Sequence, residues 1–174
     1  MRKETSFEKV AADDALVLIL GSMPGVASLK AGQYYAHPRN LFWNMMGEIF
    51  GFGQNLPYPE RIQLLKQNRI ALWDVAHQCE RVGSLDSNIR SGSVIANDFN
   101  DLFEPSSQIG AIFFNGQKAA QLYQRLVVPA LSERLQALPR YTLPSTSPAH
   151  ASLSREEKLK QWSQVNKTLA TLRK

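Results

Sequence analysis

Three short, almost unbroken apolar runs constrain this chain more than any other feature of it. They are Ala15–Leu20 (ALVLIL), Ile70–Val75 (IALWDV) and Ile109–Phe114 (IGAIFF), and a fourth, more mixed run follows at Arg140–Leu143 (RYTL). A strand with one wet face alternates apolar and polar residues, whereas a continuous apolar run of strand length implies cover on both faces. The stretches between the runs carry helical patterns. Strand–helix alternation of this kind predicts a three-layer α/β/α sandwich around a central four-stranded, mostly parallel sheet with right-handed crossovers.

The helical segments have recognisable ends. Residues 40–50 carry an apolar face stopped by Gly51 and Gly53, and Pro59 suits the first turn of a helix running to about Gln67. Asn97 is placed to cap a short helix through Phe103, ended by Pro105, and Gln117–Leu126 is helical up to a break at Pro129. Ser154 and Glu157 form a capping box. Beyond it Leu159, Trp162, Val165, Leu169 and Leu172 recur at helical spacing as one buried stripe. Lys158, Lys160, Lys167, Arg173 and Lys174 are expected on the other faces.

A length of 174 residues without repeats or linker-like stretches suits a single domain over residues 1–174. No apolar run reaches the roughly 20 residues of a membrane span. The N-terminal MRKETSFEKV has no apolar segment behind its charges, so the expected location is cytoplasmic. The lone Cys79 leaves no disulfide framework and no cysteine zinc cage, and the reading calls for no metal and no cofactor. The net charge of +5 is compatible with a polyanionic partner.

In sheets of this kind ligands bind beyond the carboxyl ends of the strands. Four polar clusters fall there: Gly21-Ser22-Met23-Pro24-Gly25, Asp74, Asn115-Gly116 and Pro144–His150. Each has a plain structural alternative, namely a tight turn, a capping carboxylate, a helix entry and a solvated loop. Convergence on one edge favours a site. A fifth cluster, Gln33–Trp43, holds two tyrosines, a histidine, an arginine and an asparagine. Phe42 and Trp43 read as core, Asn40 reads equally as a helix cap, and, if the segment is extended, at least one of Tyr34 and Tyr35 is expected to line a surface or a cleft.

Together, G-S-M-P-G at 21–25, Y-A-H-P-R-N-L-F-W at 35–43 and P-S-T-S-P at 144–148 resemble the uracil-DNA glycosylase superfamily. Their form is most similar to its hypoxanthine-DNA glycosylase (DNA-deoxyinosine glycosylase) branch. The resemblance implies a monomeric, monofunctional enzyme that flips a deaminated base out of double- or single-stranded DNA and hydrolyses its N-glycosidic bond. Asn40 then takes the main catalytic role. The base is bound by the turn at Gly21, Ser22 and Met23, by Tyr35 as the stacking aromatic, and by Asp74 as the base reader. DNA is bound by Pro24, Gly25, Arg39, Ser145, Thr146, Ser147, Pro148 and His150, with Pro148-Ala149 as a small wedge and Lys30 as a further phosphate contact.

Two positions depart from the family pattern. The third residue of the first turn, usually an acid or amide that positions water, is Met23, and the residue before Pro144-Ser145, often histidine or asparagine, is Leu143. An ionised Asp74 accepts hydrogen bonds only, which favours the N1–H of hypoxanthine over the bare N1 of adenine. Uracil N3–H satisfies it equally. No lysine lies in the four clusters, so no Schiff base is expected. The alternatives are a uracil or mismatch glycosylase, a catalytically weak nucleic-acid-binding member of the fold, and a nucleoside hydrolase.

Overall fold

All four apolar runs form strands of one sheet in the computed structural model, which describes residues 2–174; Met1 lies outside it. In chain order the elements are β1 (Arg2–Thr5), β2 (Val17–Gly21), α1 (Val26–Ala31), α2 (Phe42–Phe50), α3 (Tyr58–Gln67), β3 (Ile70–Asp74), β4 (Ala76–Arg81) and β5 (Ile95–Ala96). They continue with α4 (Phe99–Phe103), β6 (Ala111–Asn115), α5 (Gln117–Leu122), α6 (Glu133–Gln136), β7 (Arg140–Leu143), α7 (Arg155–Trp162) and α8 (Gln164–Leu172).

The central sheet has the order β3-β2-β6-β7 and every neighbouring pair is parallel. Side chains alternate across it, as the pleat requires. Leu18, Leu20, Ala71, Trp73, Ile112 and Phe114 face a layer built on α4 and α5 through Phe99, Leu102, Phe103 and Leu122. Val17, Ile19, Ile70, Leu72, Ala111 and Phe113 face the opposite layer of α2, α3, α7 and α8 through Phe42, Met46, Leu65, Trp162 and Leu169. Cover on both faces is why these runs read as continuous. No helix among the described residues is long and apolar enough to cross a membrane.

A second sheet, β1-β4-β5, is antiparallel and was not legible as strands, because RKET and AHQCER carry no apolar signal. At its centre Arg81 is buried. Its guanidinium donates from Nε and Nη2 to Oε2 of Glu4 at 3.1 and 2.7 Å, and also to the carbonyls of Pro24 and Ser84. A buried cation must be paired and hydrogen-bonded. Here the pairing ties the small sheet to the first glycine turn.

Three local expectations change. The cap of α4 is Asp98, whose side chain accepts from the N–H of Asn100 and Asp101, while Asn97 donates to the carbonyl of Asp74 at 2.7 Å. The last helical segment has its capping box at Ser154 but breaks at Ser163 into α7 and α8. Lys158 is buried rather than on a solvated face, and its Nζ donates to the carbonyl of His150 at 2.5 Å.

Candidate active site

The strand ends β2, β3, β6 and β7 open into one cleft of about 970 Å³. Every site residue expected from the sequence lines it: Gly21, Ser22, Met23, Pro24, Gly25, Tyr35, Arg39, Asn40, Asp74, Ser145, Thr146, Ser147, Pro148 and His150. Lys30 does not; it is exposed on α1, outside the lining. Lys118, at the start of α5 and outside the four clusters read from the sequence, also lines the cleft.

The floor is made by Gly21, Asp74 and Tyr35. Gly21 and Asp74 are register partners at the ends of adjacent strands. A Cβ on residue 21 would lie 2.4 Å from Oδ1 of Asp74 and 3.0 Å from Oη of Tyr35, so only glycine lets these two oxygens converge. Asp74 is buried and its Oδ2 has no hydrogen-bond partner. Burial, and secondarily the charge of Asp86, push its pKa up to about 7, with Arg81 acting the other way. Buried polar atoms in folded proteins are almost always paired, so an unpaired one in a cleft marks a place for a ligand. The Tyr35 hydroxyl is unpaired and buried in the same way.

The two adjacent tyrosines separate because Tyr35 adopts a left-handed backbone, with φ of 54°. Such a conformation is costly for a residue other than glycine and concentrates at functional sites. Tyr34 turns into the core, its hydroxyl donating to the carbonyl of Glu8 at 2.9 Å. Tyr35 turns into the cleft with one ring face stacked on Phe42 at 4.2 Å.

Asn40 closes the turn from His37, its N–H donating to the His37 carbonyl at 2.9 Å. Its Oδ1 accepts from the N–H of Phe42 at 3.0 Å at the entry to α2. Asn40 stands one residue before the N-cap, Leu41, so it braces the entry to α2 without capping the helix, which leaves the Nδ2 group and one lone pair of Oδ1 for the cleft. The Met23 side chain is packed with Ala76, Cys79 and Ile89 and brings no acid or amide to the cleft. Leu143 is likewise core.

The last loop is held from behind. Asn115, at the end of β6, donates from Nδ2 to Oγ1 of Thr146 and accepts the Thr146 N–H on Oδ1, both at 2.9 Å. Thr146 is buried, and its carbonyl accepts from the N–H of Leu41 at 3.0 Å. Thr146, expected among the phosphate contacts, thus has its amide and its hydroxyl oxygen engaged by Asn115, with the O–H left to donate. Ser145 and Ser147 accept from the N–H groups of Ser147 and Ala149, each at 3.2 Å, which shapes the loop while leaving it at the cleft mouth. Gly116, with φ of 94°, passes close beneath Ser145.

Asn115 was expected among the strand-end clusters, but its bracing of Thr146 was not. Asp86 is a cleft residue that the sequence did not single out. Asp86 lies in a polar turn, Ser84–Asn88, that nothing local distinguishes from a solvated loop, yet its Oδ1 accepts from Oγ of Ser22 at 2.6 Å. Burial raises its pKa, opposed by the Ser22 hydrogen bond and by Arg81 and Lys118.

A doubly covered parallel sheet with an enclosed carboxylate, a ring in a left-handed turn and a serine loop at one edge defines an α/β protein with a ligand cleft at its strand ends. The particular family follows from comparison. The chain belongs to the uracil DNA glycosylase superfamily, whose model matches residues 7–172. It is 36% identical over 160 residues to a protein of Methanosarcina acetivorans named hypoxanthine DNA glycosylase, a match spanning 91% of this chain and 95% of that one. A protein of the same name from Methanosarcina barkeri is 37% identical over 120 residues, covering 68% and 75% of the two chains. The solution NMR structure of a Methanosarcina acetivorans protein, described as a candidate uracil DNA glycosylase, superposes with a TM-score of 0.80 at 35% identity over 97% of this chain and 99% of the other.

Proposed function

We propose that this chain is a DNA glycosylase that hydrolyses the N-glycosidic bond of a deaminated base, foremost hypoxanthine in deoxyinosine, and leaves an abasic site. Membership of the superfamily and the names of its relatives support a DNA N-glycosylase acting on deaminated bases. The observation that carries the choice of hypoxanthine over adenine is Asp74, a buried carboxylate, unpaired on Oδ2, at the floor of the cleft; the names of the relatives favour hypoxanthine over uracil.

A base must leave the stack to reach such a floor. In this reading the free face of Tyr35 receives it and Asp74 accepts from its N1–H. Adenine offers a bare N1 there, and two facing acceptors in a dry pocket are costly. The backbone N–H groups of Ser22, Met23 and Gly25, which have no hydrogen-bond partner among the described residues, serve the charge that develops on the leaving base. Asn40 contributes its amide to the sugar or the water. Ser145, Ser147, Arg39 and His150 contact phosphates, and Pro148-Ala149 enters the duplex. The reading includes residues 1–174 as a single domain and the protein as a cytoplasmic monomer acting on duplex or single-stranded DNA.

The test is to incubate the purified protein with duplexes containing inosine, uracil, xanthine or adenine and to assay strand breaks with and without alkali. Inosine is expected to be cut best, adenine not at all, and breaks are expected only after alkali. Release of uracil in preference to hypoxanthine would replace the choice of base. Breaks without alkali would instead implicate Lys118 and a bifunctional reaction. Release of no base at all would refute the enzyme reading.

A further inference from the structure

The cleft has no free acid at the turn position where the family resemblance places one. Met23 is packed into the small-sheet cluster, and Oδ1 of Asn40 already accepts the N–H of Phe42. Asp74 lies on the floor beside Gly21 and Tyr35, and in the function proposed above it is occupied with the edge of the base rather than with the sugar. A second carboxylate nevertheless reaches the turn, from a different element. Asp86 arrives from the loop between β4 and β5 and lines the cleft together with Ser22 and Asn40. Its Oδ1 is held by the Ser22 hydroxyl at 2.6 Å, one residue before Met23.

The loop that delivers Asp86 is anchored at several points. Oγ of Ser84 accepts from the N–H of Val26 at 2.8 Å, and the buried Arg81 donates to the carbonyl of Ser84. Nδ2 of Asn88 donates to the carbonyl of Val82 at 3.0 Å, and the N–H of Ile89 donates to the Asp86 carbonyl at 3.1 Å. Among the described residues Asp86 forms no ion pair, so no cation is bound to its carboxylate directly. Preorganised charge of this kind is what a reaction that builds opposite charge requires.

We propose that Asp86 is the carboxylate that holds the attacking water and faces the cationic sugar, the role that Met23 cannot perform. This rests on the glycosylase reading above. As the bond from C1′ to the base breaks, its electron pair leaves with the base and positive charge develops on C1′ and the ring oxygen. The water oxygen then bonds to C1′ and gives one proton to Asp86. That proton passes to the departed base anion, so one water is consumed, the neutral base and the abasic hydroxyl are formed, and Asp86 is restored. The neutral amide of Asn40 can orient the water but cannot offset the sugar's charge.

Asp86→Asn keeps an oxygen for the Ser22 hydroxyl and removes the charge. Its single-turnover excision of inosine is expected to be slower by about 10²–10³-fold, the effect of losing one preorganised electrostatic group. Thermal midpoint and affinity for a duplex with a neutral tetrahydrofuran abasic site should be unchanged or raised. A second readout does not depend on turnover. The wild type should bind a duplex carrying a cationic pyrrolidine abasic analogue more tightly than the neutral one, and Asp86→Asn should lose that preference by about tenfold or more. Ser22→Ala leaves the carboxylate charged but untethered, and a rate lowered by about tenfold is expected. Excision at the wild-type rate, or an undiminished cation preference, in Asp86→Asn would overturn the proposal while leaving the glycosylase reading intact. A wild type that releases no base refutes the glycosylase reading, and the analogue comparison still reports on Asp86.

Discussion

Replacing Asp74 by asparagine should stabilise the protein and damage its selectivity, with both effects depending on pH. Burial raises the carboxyl pKa from 3.8 to about 7 in the fold. Below pH 4 the group is protonated folded and unfolded, and it costs nothing extra. As pH rises from 4 through 7 the unfolded chain ionises first, so the folded state progressively loses stability. At about 1.36 kcal/mol per pKa unit, the full difference amounts to about 4 kcal/mol by pH 8. Asparagine carries no charge to desolvate, so Asp74→Asn should match the wild type in urea melts at pH 4 and exceed it by up to that amount at pH 8. Excision should move the other way. An amide can turn a donor toward N1 of adenine, so the preference for inosine over adenine should fall. The wild-type preference should itself sharpen between pH 6 and 8 as the carboxylate ionises. A mutant no more stable than wild type at pH 8, or an unchanged base ratio, would refute the account of Asp74 as a desolvated reader.

Four other outcomes follow from the same geometry. Gly21→Ala places a Cβ 2.4 Å from Oδ1 of Asp74, and this overpacking should cost about 1–3 kcal/mol in denaturant melts and strongly slow inosine excision; a neutral result would mean the floor is pliable. Tyr35→Ala should weaken binding to a lesion duplex by roughly ten- to a hundredfold, the equivalent of about 1–3 kcal/mol of base stacking, with the fold retained; an unfolded mutant would make Tyr35 a core residue. Asn40→Ala should lower the rate by about 10²–10³ and stability by about 1 kcal/mol through the lost hydrogen bond from the Phe42 N–H, so rate and melting temperature must be read together. Duplex binding should weaken with salt at a log–log slope of roughly −3 to −4.5 for about 3–5 phosphates, and a slope near zero would remove DNA as the partner.

The central sheet was readable because burial on both faces leaves a mark that is local in the chain: runs such as ALVLIL admit no solvated side. The same locality made the turn at 21–25, the capping box at Ser154 and the cleft-facing clusters legible. The small sheet was not, since its strands are largely polar and the buried Arg81 at its centre is paired with Glu4, 77 residues away in sequence. The bracing of Thr146 was hidden for a related reason. A hydroxyl in a serine-rich loop looks solvated until β6 brings Asn115 behind it.

The division at the site has the same origin. Residue type and spacing along the chain determined which groups reach the strand ends: the glycine turn, Tyr35, Asn40, Asp74 and the serine loop. Folding alone decided their chemical state. Burial under the sheet edge raised the Asp74 pKa, a left-handed backbone separated Tyr35 from Tyr34, and packing against Ala76 and Cys79 turned Met23 away. Folding also carried Asp86 across 64 residues of sequence to Ser22. Desolvation, charge proximity and a hydrogen bond between distant segments are properties of three-dimensional neighbours, and a linear reading has access only to adjacent ones.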